Sequence, residues 1–411
     1  MPMRPITDPL VGPADLLASI DMMSDQIDAG LPDAFRMNGD MDGIITREQL
    51  VRINEVDLFP GAPGRTFTEQ RLLPVVRRFF RSHVKRYGWF YPTLDDAVHD
   101  ALAQVRAHQF DASSDRVSSL GHAGSRYLKA LFKSFWDVDG GPSKRFWDDR
   151  KLDGVLRYRL GLNTSRPYTY ELHDGTSVTC RETFDINIKN VRYGFIVQRS
   201  SVSWFKPTAA YEVYRRFLGA VRSPVVWDPS CGFGARLLGF AAAYPEGRYI
   251  GTDPATQTFR DLLRLAAELR LQQGTMGIDM RCHGSEVGLA GIDDCSVDLV
   301  FTSPPYFDKE KYFDEPTQCW NVFGTHDAWT EGYMLPTFKE AFRVLRQGAP
   351  MVINIDDKHT YIVIEAAERA GFKRAPDDDL RLSIGRDHFV KHTQGDAALK
   401  GKFEPILVFR K

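Results

Sequence analysis

Val225-Val-Trp-Asp-Pro-Ser-Cys-Gly-Phe-Gly-Ala-Arg-Leu-Leu238 is the stretch whose reading decides the fold. A short apolar run, Val225 to Trp227, ends at Asp228. A loop of small residues with Gly232 and Gly234 follows, and a helix-like segment begins at Ala235. Strand, glycine turn and helix start in that order are the phosphate- or nucleotide-type turn of a parallel α/β sheet. Glycine serves where the backbone needs positive φ or must approach a ligand closely. A helix start offers N–H groups that lack partners inside the helix. Gly-x-Gly by itself also occurs in turns that bind nothing. A second stretch, Val297-Asp-Leu-Val-Phe-Thr-Ser-Pro-Pro-Tyr306, adds what the first lacks. Neither of two consecutive prolines can donate to a strand ladder. They mark a rigid loop just past a strand's C-terminal end, where ligands bind in open α/β sheets.

Asp-Pro-x-Cys-Gly-x-Gly at 228–234 and Thr-Ser-Pro-Pro-Tyr at 302–306 together resemble the S-adenosylmethionine-dependent amino-methyltransferases of DNA bases. The Ser-Pro-Pro-Tyr form is most typical of the N4-cytosine group, and some N6-adenine enzymes share it. The resemblance covers roughly the C-terminal half of the chain. It implies a Rossmann-like α/β methyltransferase domain with a doubly wound seven-stranded sheet, S-adenosylmethionine as cofactor and DNA as partner. It implies cofactor contacts from Asp228, Pro229, Ser230, Cys231, Gly232, Gly234 and Thr302, and catalytic roles for Ser303, Pro304, Pro305 and Tyr306. A Lys-Pro element before a helix holds the methionine end of the cofactor in some members, and Phe205, Lys206 and Pro207 occupy that place here. The alternative for these three is a plain loop with a helix-starting proline.

Working outward, Arg248 to Asp253 reads as a second strand ending in an acid, 25 residues past Asp228. An acid near that spacing accepts hydrogen bonds from both ribose hydroxyls. Met280 to Ser285 reads as the third strand and its loop. The resemblance puts Ser285 near the adenine, and a turn-capping role is the alternative. Asp293, Asp294 and Asp298 are expected to be solvated. Beyond Tyr306, Phe307 to Tyr312 carries aromatics with Lys309 and Lys311, as a loop closing over a target base would. Phe338, Ala341, Phe342 and Leu345 follow helical spacing within 335–346. Pro350–Ile355 reads as a further strand, and Ser383-Ile384 with Glu404–Phe409 as a closing antiparallel pair.

The first half falls outside the resemblance. Residues 1–165 read as a mostly helical region with a possible role in DNA recognition, 166–202 as a β-rich connection, and 203–411 as the catalytic domain. Asn38 to Gly43 has the acids and glycines of a calcium loop but not its spacing. Leu72, Val75, Val76, Phe79 and Phe80 recur at helical intervals. The same segment carries Arg77, Arg78, Arg81, Lys85 and Arg86, then Tyr87, Trp89, Phe90 and Tyr91. That mixture suits either phosphate tracking with base stacking or a solvated basic face over a core. Lys144 and Arg145, after Gly140-Gly-Pro, are candidates for DNA backbone contact. Asp174-Gly175 is a hairpin turn, and 177–183 and 191–198 read as short strands.

Composition bounds the rest. At 411 residues the prior is two or three domains. Hydrophobic residues at 43% support real cores. The formal net charge is −1, so any nucleic-acid face must be local. Five scattered cysteines with no C-x-x-C pair suit a reducing cytoplasm and give no structural zinc set. No apolar run is long enough for a membrane span. No metal is expected in the chemistry. Transfer to cytosine C5 uses a thiolate after proline, and no cysteine here follows a proline. Related enzymes acting on RNA or a protein amide more often carry Asn-Pro-Pro-Tyr or Asp-Pro-Pro-Tyr. Ser303 therefore favours DNA, with N4 of cytosine first and N6 of adenine second; a scaffold that kept the fold without catalysis would bind no cofactor. Only 75 residues separate Asp228 from Ser303, leaving no room there for a recognition domain.

Overall fold

The computed structural model describes residues 44–45, 73, 76–81, 83–85, 87–118, 123–159, 167–171, 177–181, 186–197, 204–307, 311–383 and 403–411. The readings at Asn38–Gly43, Leu72, Val75, Arg86, Lys309 and Ile384 lie outside them. By contacts the chain divides into two units, residues 1–91 with 140–200 and residues 92–139 with 201–411. This division differs from the boundaries expected at 165 and 202. Residues 92–139 join the catalytic unit because their helices make their tertiary bonds there.

In the first unit Val76, Phe79 and Phe80 are buried in a core with Phe146, Leu152, Val155, Leu156, Val191 and Phe195. Arg77 and Arg81 pair with Asp149, and Arg77 also with Asp153. Two cations of the basic segment are thus held within the unit. Trp89 stacks on Phe90 at 4.2 Å and meets Phe146 edge-on. The hairpin is present, with Pro167–Glu171 antiparallel to Ser177–Arg181. The strand expected over 191–198 is instead a helix, Ile188–Val197. Its apolar residues Ile188, Val191 and Phe195 fall on one helical face and enter the core, while the Asn187 side chain accepts the Asn190 N–H at 2.8 Å.

The second unit opens with α1 (Val98–Arg106), β1 (Arg116–Val117) and α2 (Ser125–Leu131). Then come α3 (Pro207–Leu218), β2 (Val225–Asp228), α4 (Ala235–Ala243), β3 (Arg248–Thr252), α5 (Thr256–Gln273), β4 (Gly277–Arg281) and β5 (Leu299–Thr302). The unit closes with α6 (Leu335–Val344), β6 (Pro350–Asn354), α7 (Thr360–Arg369), β7 (Lys373–Arg374), β8 (Leu380–Ser383) and β9 (Phe403–Arg410). The sheet order is β1-β8-β9-β6-β5-β2-β3-β4, with β7 beside β9. It has nine strands rather than seven, the extra two being the two-residue β1 and β7. From β4 to β6 all neighbours are parallel, and β9 is antiparallel to β6 and β8. This is a doubly wound Rossmann-like α/β fold. The chain runs outward from β2 through β3 to β4, then returns to the other side of β2 as β5. The switch point therefore lies between β2 and β5, where the strand ends leave a crevice.

Alternation along the strands builds two core layers. Trp227, Val300, Met351 and Ile353 face Phe338, Ala341, Val344, Val363 and Ala366 of α6 and α7. On the other face Phe301 meets Tyr214 of α3, which in turn meets Phe240 of α4. Helices α3 and α4 approach closely at Gly239, where a Cβ would lie 2.7 Å from the Pro207 carbonyl oxygen. Helix α1 is bonded in through Arg106, whose Nε donates to the Ala242 carbonyl at 3.1 Å. Tyr127 of α2 donates to Glu268 of α5 at 2.5 Å. Asp298 is not solvated: it accepts the Val225 N–H at 2.8 Å and pairs with Arg346, tying the starts of β2 and β5 together. Asp294 pairs with Arg343. Helix α6 stops at Val344, short of Gly348, because Leu345 turns extended and bridges to Val297.

Candidate active site

The glycine loop is built by a buried charge. Asp228 is fully buried at the end of β2. Its carboxylate accepts from Tyr249 Oη at 2.5 Å, Arg236 Nε at 2.8 Å and the Ser230 N–H at 3.2 Å. Burial works against the Arg236 charge, but Asp228 more than offsets this and holds its pKa above the ordinary value. Arg236 also donates to the Ser230 carbonyl. Gly232 and Gly234 have φ of 52° and 71°, in the left-handed region that favours glycine. A Cβ at Gly234 would sit 2.7 Å from Leu265 and 2.8 Å from Phe132. Burial raises the Cys231 thiol well above its usual pKa, so it packs rather than reacts.

Asp253 follows β3. It accepts the Gly232 N–H at 2.8 Å and the Ala255 N–H at 2.9 Å, and so spans the glycine loop and the start of α5. Burial pushes its pKa up to about 6, against those two bonds. Across the crevice, Thr302 ends β5 and Ser303-Pro-Pro-Tyr follows. Ser303 Oγ lies 3.3 Å from Tyr306 Oη, which donates to Glu404 Oε2 at 3.4 Å. The next residue, Phe307, has a φ of 54°, a rare conformation away from glycine that marks a sharply turned loop. Its ring rests 4.2 Å from His326.

These loops enclose one cavity of about 460 Å³. Phe205, Lys206, Pro229, Ser230, Cys231, Gly232, Asp253, Ser285, Ser303, Pro304, Pro305 and Tyr306 line it. Pro207, Asp228, Gly234 and Thr302 do not: they stand behind the wall and shape it. Pro207 starts α3, and Thr302 Oγ1 is buried with no hydrogen-bond partner among the described residues. Ser285 Oγ is engaged with Thr337 Oγ1 at 2.9 Å. Burial lowers the Lys206 pKa, and burial followed by the Lys206 charge brings Lys129 down to about 8. Lys311 lies outside the lining, with its Nζ 4.6 Å from the Trp320 ring centre. Lys144 and Arg145 belong to the first unit, in the helical turn Pro142–Arg145, where Arg145 is set over the Phe195 ring.

Several lining residues carried no motif. Trp204, Phe233 and Tyr312 form a parallel stack with centroids 5.1 and 4.9 Å apart, beside the glycine loop. Tyr333 bonds Ser230 Oγ at 2.9 Å from a π-helical turn, Thr330–Met334, that precedes α6. Glu286, Gln318, Asn354, Leu382 and Glu404 are also part of the wall. Gln318 is 7% exposed, and its Nε2 has no partner among the described residues.

Residues 297–411 match the family model described as DNA methylase, N6_N4_Mtase. This segment is similar to the N6/N4-type DNA methylases. The match takes in Ser303 to Tyr306 and the strands from β5 to β9. No curated protein matches the chain. Among solved structures it is similar to a methyltransferase from Pyrococcus furiosus, 17% identical over 50% of this chain and 82% of that one, with a TM-score of 0.33. A SAM-dependent methyltransferase from Methanosarcina mazei is 12% identical over 48% of this chain and 96% of that one, with a TM-score of 0.32. The strand order, rather than these relatives, carries the fold of the methylase. Among its described residues no helix is long and apolar enough to cross a membrane.

Proposed function

We propose that the methylase transfers a methyl group from S-adenosylmethionine to the exocyclic amine of a DNA base drawn out of the duplex, with N4 of cytosine the preferred target. One observation carries the reading: a single cavity at the switch point joins the glycine loop and Asp253 to Ser303-Pro-Pro-Tyr306. The residues present fit the cofactor. Asp253 offers a carboxylate for the ribose diol, Lys206 a cation for the methionine carboxylate, and Gln318 an unpaired buried amide for a polar edge of the nucleoside. When bound, the cofactor supplies an electrophilic methyl on a sulfonium sulfur.

The amine lone pair of cytosine or adenine is delocalised into its ring, so the amine is a poor nucleophile. Ser303 Oγ and the Pro304 carbonyl are the acceptors that take its two N–H bonds and favour a pyramidal nitrogen. The paired prolines fix the loop, so the acceptors need no reorganisation. Tyr306 gives the extruded base a face, and such stacking contributes roughly 1–3 kcal/mol. Lys309 and Lys311 follow Tyr306 and serve the DNA backbone. Recognition is assigned to the first unit, with Lys144 and Arg145 on phosphate. Since residues 92–139 belong to the catalytic unit, Lys144→Ala with Arg145→Ala tests this better than deleting the N-terminal half.

The deciding experiment incubates the methylase with methyl-labelled S-adenosylmethionine and unmodified bacterial DNA, then identifies the labelled nucleosides by mass spectrometry. Label in N4-methylcytosine is expected. Label in N6-methyladenine would change the base and keep the site. Absence of label in DNA, with cofactor bound, would overturn DNA as the substrate.

A further inference from the structure

Ser303 can act as the amine's acceptor only if its own proton points elsewhere. A hydroxyl both donates and accepts and turns freely, so something must set its direction. The cavity contains such a device. Ser303 Oγ lies 3.3 Å from Tyr306 Oη, and Tyr306 Oη donates to Glu404 Oε2 at 3.4 Å. An ionised carboxylate only accepts. With Glu404 at the far end, Tyr306 must donate to it, Tyr306 oxygen is left to accept from Ser303, and the Ser303 lone pairs turn to the cavity. Both distances are long for hydroxyl bonds.

The scaffold holds Glu404 in place. It lies on β9 opposite Leu382 of β8, two residues before Ile406, which pairs with Asn354 of β6. Leu382, Asn354 and Glu404 all reach the cavity from this ladder. We infer that Glu404 is a positioning residue for methyl transfer: acting through Tyr306, it commits the Ser303 hydroxyl to accepting from the target amine. The inference rests on the proposed role of Ser303 and deepens it.

Glu404→Gln keeps the size of the side chain and adds a donor that can reverse the chain. Its kcat is expected to fall on the order of 10- to 100-fold, while the Kd for S-adenosylmethionine stays within about twofold of the parent. Tyr306→Phe cuts the chain between Glu404 and Ser303. In that background Glu404→Gln is expected to cost nothing more, because the two residues act as one unit. A kcat for Glu404→Gln within about twofold of the parent, or losses that multiply in the double variant, would overturn the inference. If Glu404→Gln also loses the cofactor, Glu404→Asp decides, since it keeps an acceptor-only group: recovery of kcat supports the inference, and a kcat as low as that of the glutamine variant refutes it. If the parent methylates no DNA base, the reading of the site fails and this inference with it. If the parent is active and Glu404→Gln is unaffected, the inference alone fails.

Discussion

Two loops meet at the switch point, and they are held by different means. The glycine loop after β2 is braced from beneath by Asp228, Arg236 and Tyr249, all buried. The Ser-Pro-Pro-Tyr loop after β5 is stiffened by its own prolines, and its polar links include two long hydroxyl bonds, Ser303 to Tyr306 and Tyr306 to Glu404. On the proposed function, a cofactor bound and released each turnover would be met by a loop braced independently of it. The target amine would meet a short rigid backbone, with its acceptors aimed by the Ser303, Tyr306 and Glu404 chain. The first loop should therefore fail through folding and the second through chemistry.

The largest break is expected at Asp228. Asp228→Ala leaves the Arg236 charge buried and unpaired, which costs about 3–5 kcal/mol. Chemical denaturation followed through the catalytic unit should show the lowered midpoint, with cofactor binding lost alongside. On the other loop, Ser303→Ala should cut kcat roughly 100-fold, about 2.7 kcal/mol at the transition state, and leave the denaturation midpoint unmoved. A shifted midpoint would erase the contrast between the loops.

Asp253 joins the two behaviours through pH. Its folded pKa, pushed up to about 6 by burial, exceeds the ordinary 3.8. The folded state therefore holds a proton between those values that the unfolded state has released. Its contribution to stability falls as pH rises through this window and is constant above it. Cofactor binding uses the ionised form as acceptor and so runs the opposite way. The Kd for S-adenosylmethionine should weaken by up to about tenfold per pH unit below about 6 in calorimetry, and Asp253→Asn should flatten that dependence. The smallest effect is expected at Gly232. A Cβ there meets only Tyr312 Oη at 3.5 Å, ordinary contact, so Gly232→Ala should cost only the left-handed strain, roughly 1 kcal/mol. Gly234→Ala, with carbons inside 3 Å, should cost more, and the ratio of the two midpoint shifts would sharpen the picture.

Much of the sheet was legible because its strands are short apolar runs closed by glycine or proline. Val225–Asp228, Arg248–Thr252 and Pro350–Asn354 fall where those runs lie. The helix at Ile188–Val197 was misread because aromatic and β-branched residues favour strands locally, while its burial on one face is a tertiary fact. The helix Thr256–Gln273 carries a helical apolar spacing in Leu262, Leu265, Ala266 and Leu269, all buried. Asp298 looked solvated in an acidic run; only its folding against Val225 and Arg346 shows otherwise.

By itself the sequence determined the two loops, since glycine at positive φ and paired prolines act within a few residues of themselves. It also determined Asp253 as the acid of the second strand, because strand ends recur at near-constant spacing in such a sheet. Tertiary structure alone decided that Asp228 is buried behind the cavity wall, that residues 92–139 belong with residues 201–411, and that Glu404 stands beside Tyr306. Those outcomes depend on burial and on pairs up to 98 residues apart, such as Tyr306 and Glu404. No local pattern encodes such pairs, because they exist only once the chain has closed on itself.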